Sequence, residues 1–331
     1  MKRAGALMPK IVEVDNLLKA YYKAVRGKRC KKSVRTFSGS LYENILSLRE
    51  QLVSGTFEVG RYHYFKVYDP KERVICAASF EERVVHHAIM NICHECFERY
   101  LIYDTYATRK DKGIYAAIDK ARKGMKTAGY AVKLDVRKYF DSISHEILKQ
   151  KLKRIFKDKE LLNLLNRIID SYTTSEDRGI PIGNLTSQYF ANFYLSFLDH
   201  YAKEVLKVPV YVRYMDDILM FGSDKEEVKV FTHAVKEFVE CELRLQLKPE
   251  VVVSTDYGVS FLGYTIFKNK ILLNRRSKIR LKRKVKKYGD LYNSGVWGDN
   301  DYITHITPLL SFAEKAYTKS LRNRLCERLY S

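Results

Sequence analysis

The chain is poor in acid, in proline and in long apolar runs. Against 60 Lys and Arg it carries 39 Asp and Glu, a net charge of +21, so a polyanion is the expected partner and self-association is opposed. No apolar run approaches the length of a membrane span, and no signal-type apolar segment follows Met1-Lys2-Arg3, so neither spanning nor export is expected. With 6 prolines and no repeat or low-complexity linker, nothing marks a disordered region. Several common motifs are missing too. Gly55-x4-Gly60 is followed by Arg61-Tyr62 and is no phosphate loop; His94-Glu95 lacks the second histidine of a zinc protease; there is no Gly-x-Ser-x-Gly elbow. The 6 cysteines are expected as reduced thiols. Cys93 and Cys96, with His86, His87 and His94 nearby, raise a zinc reading. Glu81–Tyr100 reads more simply as an apolar-periodic helix, because structural zinc closes with four clear ligands.

What is present is mostly basic. Lys23, Arg26, Lys28, Arg29, Lys31, Lys32 and Arg35 form one run, and a second extends from Arg275 to Lys287. In the second, Ile279, Leu281 and Val285 suggest a helix with one buried edge and a cationic remainder, better suited to nucleic acid than to a membrane surface. Helices are expected near 11–25, 40–54, from Glu81, at 115–126, across 144–171, from Asn184 as cap to Leu206, and over 224–241. Phe57–Tyr68 and Arg73–Ala78 read as a β pair around Asp69-Pro70-Lys71-Glu72, and Tyr130–Leu134 as a short strand. Strands scattered among helices without a βαβ rhythm give an α+β class.

The chemistry concentrates at Tyr214-Met215-Asp216-Asp217. Val210–Arg213 and Ile218–Gly222 flank it as strands, so two adjacent acids occupy a tight turn. Adjacent carboxylates repel unless a cation lies between them, and paired Mg²⁺ ions about 4 Å apart are the usual clamp for nucleotidyl transfer. Asp135 ends a second strand, with the carbonyl of Val136 beside it, and supplies the third acid. Asp141 is the rival; it reads as an N-terminal cap for the helix that follows.

Together these segments resemble the reverse transcriptases, in order over roughly residues 60 to 270. The carrying residues are Lys66 and Arg73, Arg83-Val84-Val85-His86-His87-Ala88-Ile89, Asp135-x4-Phe140-Asp141, Tyr214-Met215-Asp216-Asp217 and Phe261-Leu262-Gly263-Tyr264. The resemblance implies a right-hand polymerase architecture with an antiparallel palm sheet: fingers and the start of the palm in 1–130, palm with an interleaved finger segment in 131–265, and a basic helical thumb in 266–331. It implies catalysis by Asp135, Asp216 and Asp217, with two Mg²⁺ ions (Mn²⁺ as substitute) on these acids and Val136. Lys66, Arg73, Phe140, Ile182, Gly183, Gln188 and Met215 would meet the dNTP, Phe140 excluding a 2′-hydroxyl. Phe261, Leu262 and Gly263 would grip the primer, and Lys248 is a candidate general acid for pyrophosphate. Arg275, Arg276, Lys278, Arg280, Lys282, Arg283 and Lys284 would hold an RNA–DNA duplex.

One block departs from the general pattern. Where most such enzymes have Gln-Gly-x-x-x-Ser-Pro, this chain has Ile182-Gly183-Asn184-Leu185-Thr186-Ser187-Gln188. That combination resembles the enzymes of diversity-generating retroelements, which copy a template-repeat RNA with errors at adenines (mutagenic retrohoming). The implied partners are that RNA and a small basic pentameric accessory protein, in a bacterial or phage-encoded cytoplasmic setting. The chain ends soon after the thumb, which leaves no expected maturase, RNase H or endonuclease domain. Retron, group II intron-derived and abortive-infection reverse transcriptases are the alternatives in the class; a non-catalytic RNA-binding scaffold is the alternative outside it.

Overall fold

Every strand pairing between neighbours in the three sheets is antiparallel, and helices separate the strands along the chain, which makes the fold α+β. The structure, a computed structural model, describes residues 2–68 and 72–330. The turn expected at Asp69-Pro70-Lys71 lies outside the described residues. The chain divides into two compact units, each assembled from separated stretches.

The first unit comprises Met1–Thr108, Val136–Tyr201 and Lys236–Leu247. Its centre is the helix Phe80–Tyr100, capped by Ser79, whose hydroxyl accepts from the Glu82 N–H. Helices Val14–Val25 and Leu185–Tyr194 pack against it. Phe97 meets Phe156 and Phe193 edge-on at ring centroids 5.5 and 5.4 Å apart, the geometry aromatic quadrupoles prefer. Cys93 is fully buried in this core and its thiol is pushed up by that burial. Strands β1 (Tyr62–Tyr68) and β2 (Glu72–Ala78) form a ribbon of their own.

The second unit comprises Arg109–Asp135, Ala202–Val235 and Lys248–Ser331. Strands β3 (Tyr130–Asp135), β4 (Val210–Tyr214), β5 (Asp217–Gly222) and β6 (Val251–Ser254) form a four-stranded sheet in the order β4-β5-β3-β6. The inner strand β5 is buried without a break from Ile218 to Gly222, as strands covered on both faces are, while β3 buries Ala131, Val132 and Leu134 and leaves Lys133 and Asp135 half-buried. Helix Ile114–Thr127 lies on the sheet through Gly124, where a Cβ would sit 2.8 Å from the Phe221 ring. A second sheet follows from β7 (Val259–Phe261), β8 (Tyr264–Ile266) and β9 (Ile271–Leu273), then helices Arg275–Asn293, Asp299–Glu314 and Lys319–Tyr330. No described helix is long and apolar enough to cross a membrane.

Four local expectations are corrected. Asn184 precedes its helix but does not cap it with its side chain; its Oδ1 accepts from the Ala78 N–H at 3.1 Å and ties the helix start to β2. That helix ends at Tyr194, followed by Ser196–His200 and a π-helical stretch Tyr201–Val205. Asp141 lies inside the short helix Tyr139–Ser142, and Ser144 caps the next one through the Ile147 N–H. Ile279 is 58% exposed; the buried seam of the basic helix is Ser277, Leu281, Val285 and Gly289, at steps of one helical turn.

Candidate active site

Strands β4 and β5 pair through Tyr214 opposite Asp217, so Met215 and Asp216 alone make the turn. Met215 takes a φ of +52°, a left-handed conformation that costs a side-chain-bearing residue energy and recurs at functional turns. Beneath the turn, the fully buried Arg213 donates from Nη1 to the Met215 carbonyl at 3.1 Å. The other pairing of β5 brings Asp135 on β3 directly opposite Asp217. Directly opposed residues in an antiparallel pair share a face, so the register collects these acids from distant stretches of chain.

Two lysines stand on this cluster. Lys248 contacts Asp135 twice, its Nζ at 2.6 Å from Oδ1 and its backbone N–H donating to the Asp135 carbonyl at 2.8 Å. Lys133 Nζ lies 2.9 Å from Asp217 Oδ1. Asp216 is half-buried in the turn: desolvation above all, then the negative charges of Asp217 and Asp135, raise its carboxyl to about 6, against its own backbone N–H and Lys248. Among the described residues no three His, Cys, Asp or Glu side chains group as a ready-made metal site. Carboxylate oxygens are nonetheless the ligands a hard divalent cation takes, and the mutual repulsion felt by Asp216 is the charge deficit such a cation would relieve. The donor set, carboxylate oxygens with one electrostatically strained acid, fits a hard divalent cation.

Also in the second unit, β7 and β8 are joined by Leu262 and Gly263, with φ of +48° and +90°, as a tight hairpin requires. A Cβ at Gly263 would lie 2.9 Å from both Ser277 Oγ and the Phe312 ring, and the Gly263 carbonyl accepts from the Asn274 N–H. Phe261 is fully buried, which leaves Leu262 and Gly263 as the accessible tip. On the helix that begins at Arg275, the residues Arg275, Arg276, Lys278, Lys282 and Arg283 are exposed, while Arg280 and Lys284 are half-buried.

The first unit holds the residues expected around a nucleotide. Ile182 and Gly183 dock on β2: the Cys76 N–H donates to the Ile182 carbonyl at 2.8 Å. At Gly183 (φ +122°) a Cβ would come within 2.8 Å of Ile75. The Phe140 carbonyl accepts from the Ile180 N–H, which ties the half-buried Phe140 to the same block. A cavity of about 590 Å³ is lined by Arg73, Ile182, Asp141, Lys138, Tyr172 and Arg178, among others. The ribbon register puts Lys66 opposite Val74 and Arg73 opposite Val67, so the two cations occupy opposite faces; Lys66 pairs with Glu72 at 2.7 Å. Gln188 is half-buried on the helix Leu185–Tyr194, and Val136 is buried and bridges to Leu247. Sequence reasoning missed Lys133 and Arg213. The signals were there: Lys133 shares a strand face with Asp135 two residues later, and Arg213 is a lone charge in an apolar strand.

The reverse transcriptase (RNA-dependent DNA polymerase) family model matches residues 68–266. The chain is 22% identical over 299 residues to the putative COX1/OXI3 intron 1 protein of Saccharomyces cerevisiae, covering 71% of this chain and 36% of that protein. Against protein YkfC of Escherichia coli it is 21% identical over 270 residues, covering 67% and 71%. Against the group II intron-encoded protein LtrA of Lactococcus lactis it is 21% identical over 325 residues, covering 76% and 53%. It thus spans about a third of one of these relatives and about half of another. Apo telomerase from Candida tropicalis shares the fold with a TM-score of 0.53 at 12% identity, over 80% of this chain and 59% of that one. With the family model covering more than half of its length, the chain belongs to the reverse transcriptase family.

Proposed function

We propose that the chain is an RNA-directed DNA polymerase that transfers nucleotides with two divalent cations, Mg²⁺ by preference and Mn²⁺ as substitute. The observation that carries this is the register that sets Asp135 opposite Asp217, with Asp216 in the adjoining turn close enough to feel the charge of both. Asp135 and Asp216 would hold the cations, and bound there such ions would supply the positive charge that a primer hydroxyl and a departing pyrophosphate require. Lys248, paired with Asp135, is the candidate general acid for pyrophosphate. In the first unit, Arg73, on the wall of the cavity that Ile182 lines, would offer a guanidinium fork to the triphosphate, while Lys66, on the ribbon's other face, would add only the longer-range field of a point charge. Within the first unit Phe140, Ile182, Gly183 and Gln188 would meet the dNTP, the Phe140 ring rejecting a ribose 2′-hydroxyl; in the second unit Met215, beside Asp216, is the further dNTP residue. Leu262 and Gly263 grip the primer, and the exposed cations of Arg275–Asn293 track the RNA–DNA duplex. Residues 1–130 serve as fingers and start of palm, 131–265 as palm with an interleaved finger segment, and 266–331 as thumb.

The finer reading is an error-prone enzyme of a diversity-generating retroelement, bacterial or phage-encoded. It would copy a template-repeat RNA with mutations at adenines, beside a small basic pentameric accessory protein. Support comes from Ile182: it lines a cavity with Arg73, Lys138, Asp141 and Arg178, and a glutamine amide in its place would offer the incoming nucleotide a hydrogen bond that isoleucine cannot. Losing a bond worth about 1 kcal/mol lowers discrimination between right and wrong pairs. A group II intron-derived enzyme is the second reading, favoured by the likeness to LtrA and the yeast intron protein. One experiment separates them: sequence the cDNA made by wild type and Ile182→Gln on one RNA. The retroelement reading expects adenine-biased errors that the glutamine reduces. Uniformly low errors in the wild type, unchanged by the substitution, would overturn it in favour of the intron reading.

A further inference from the structure

Two lysines meet the acidic cluster, and they are not equivalent. Lys248 is 44% exposed at its side chain and reaches Asp135 from the segment that precedes β6. Lys133 is 27% exposed and sits inside β3, between Leu219 on β5 and Val251 on β6. An inner strand cannot shift without breaking two ladders, so Lys133 is fixed where Lys248 is free to swing. Alternation places Lys133 on the face of Asp135, and the register makes Asp217 its diagonal neighbour on β5. The ammonium therefore finds Asp217, at 2.9 Å, rather than the acid on its own strand.

We propose that Lys133 is a positioning residue that holds Asp217 aside, so that Asp135 and Asp216 take the cations while Asp217 stays paired with lysine. This rests on the reading of the acids as a cation site and goes beyond it by dividing their labour. A lysine fixed in that position also weakens the metal-free site's attraction for divalent ions, since it contributes one positive charge within contact distance of the acids. Metal entry is then tied to the arrival of a second anionic partner, the nucleotide triphosphate.

The test measures Mn²⁺ binding to the free protein by electron paramagnetic resonance, with no nucleic acid or nucleotide present. Lys133→Met keeps the aliphatic stem and removes the charge. It is expected to tighten Mn²⁺ binding about five- to tenfold, the size of one charge in a partly exposed site. Lys133→Arg keeps the charge and is expected to retain wild-type affinity. In an Asp217→Asn background the part of this gain that comes from freeing Asp217 is expected to disappear, leaving the smaller effect of the lysine's charge on Asp135 and Asp216. Unchanged Mn²⁺ affinity in folded Lys133→Met would overturn the proposal, because a purely structural lysine alters stability and not ion affinity. Failure of the underlying cation site looks different: Mn²⁺ binding would be indifferent to Asp135→Asn as well, and both readings would fall.

Discussion

Replacing Asp216 by Asn should stabilise the protein while destroying its chemistry. The carboxyl of Asp216 is raised from an ordinary 3.8 to about 6, chiefly by burial and then by Asp217 and Asp135. The folded protein therefore binds this proton more tightly than the unfolded chain, and stability falls as pH rises from about 4 to about 6, then levels off. Two pH units of displacement correspond to about 3 kcal/mol above pH 6 and to about half of that at pH 5. An amide of the same shape carries no charge and avoids this penalty. Urea unfolding in chelator should then show Asp216→Asn more stable by about 2–3 kcal/mol at pH 8, with the advantage roughly halved at pH 5. Millimolar Mg²⁺ should narrow the gap by stabilising only the wild type. An Asn variant no more stable than wild type at pH 8, or an advantage independent of pH, would refute the picture of a carboxylate held ionised against its surroundings.

Arg213→Met removes the donor to the Met215 carbonyl in a fully buried place; a loss of about 1–3 kcal/mol is expected in urea unfolding, with a slower extension rate. Gly263→Ala forces a methyl into a left-handed position against Ser277 and Phe312, and should cost about 1–3 kcal/mol in thermal unfolding. Changing the exposed Arg276, Lys278 and Arg283 together to Gln should reduce the slope of log affinity against log salt for an RNA–DNA duplex by about 2 to 3. An unchanged slope would mean that the duplex does not run along this helix.

What could be seen in advance depended on distance along the chain. The Asp216 turn and the strand ending at Asp135 were legible because alternation and flanking β-branched residues are local properties. The pairing of Lys133 with Asp217 was not, since it follows from a register between strands more than eighty residues apart. Arg213 was hidden for a similar reason: a single arginine among valines reads as an edge charge until the turn folds over it. The misplacement of Ile279 has a simpler cause. It is two residues from Leu281, about 200° around the helix, so the two cannot share a buried edge. Asn184 looked like a cap from sequence alone, yet the docking of Ile182 and Gly183 on β2 brought the Ala78 N–H within its reach. Lys66 and Arg73 matched an expected pair in spacing, but spacing across a hairpin does not reveal which face each side chain takes.

The most direct measurement is extension of a DNA primer on an RNA template with Mg²⁺, comparing wild type with Asp135→Asn and Asp216→Asn. Wild type should add dNTPs and largely refuse rNTPs, and each substitution should lower the rate by at least about a thousandfold with duplex affinity unchanged. Synthesis persisting in either variant would contradict the assignment of these two carboxylates as the centre of catalysis.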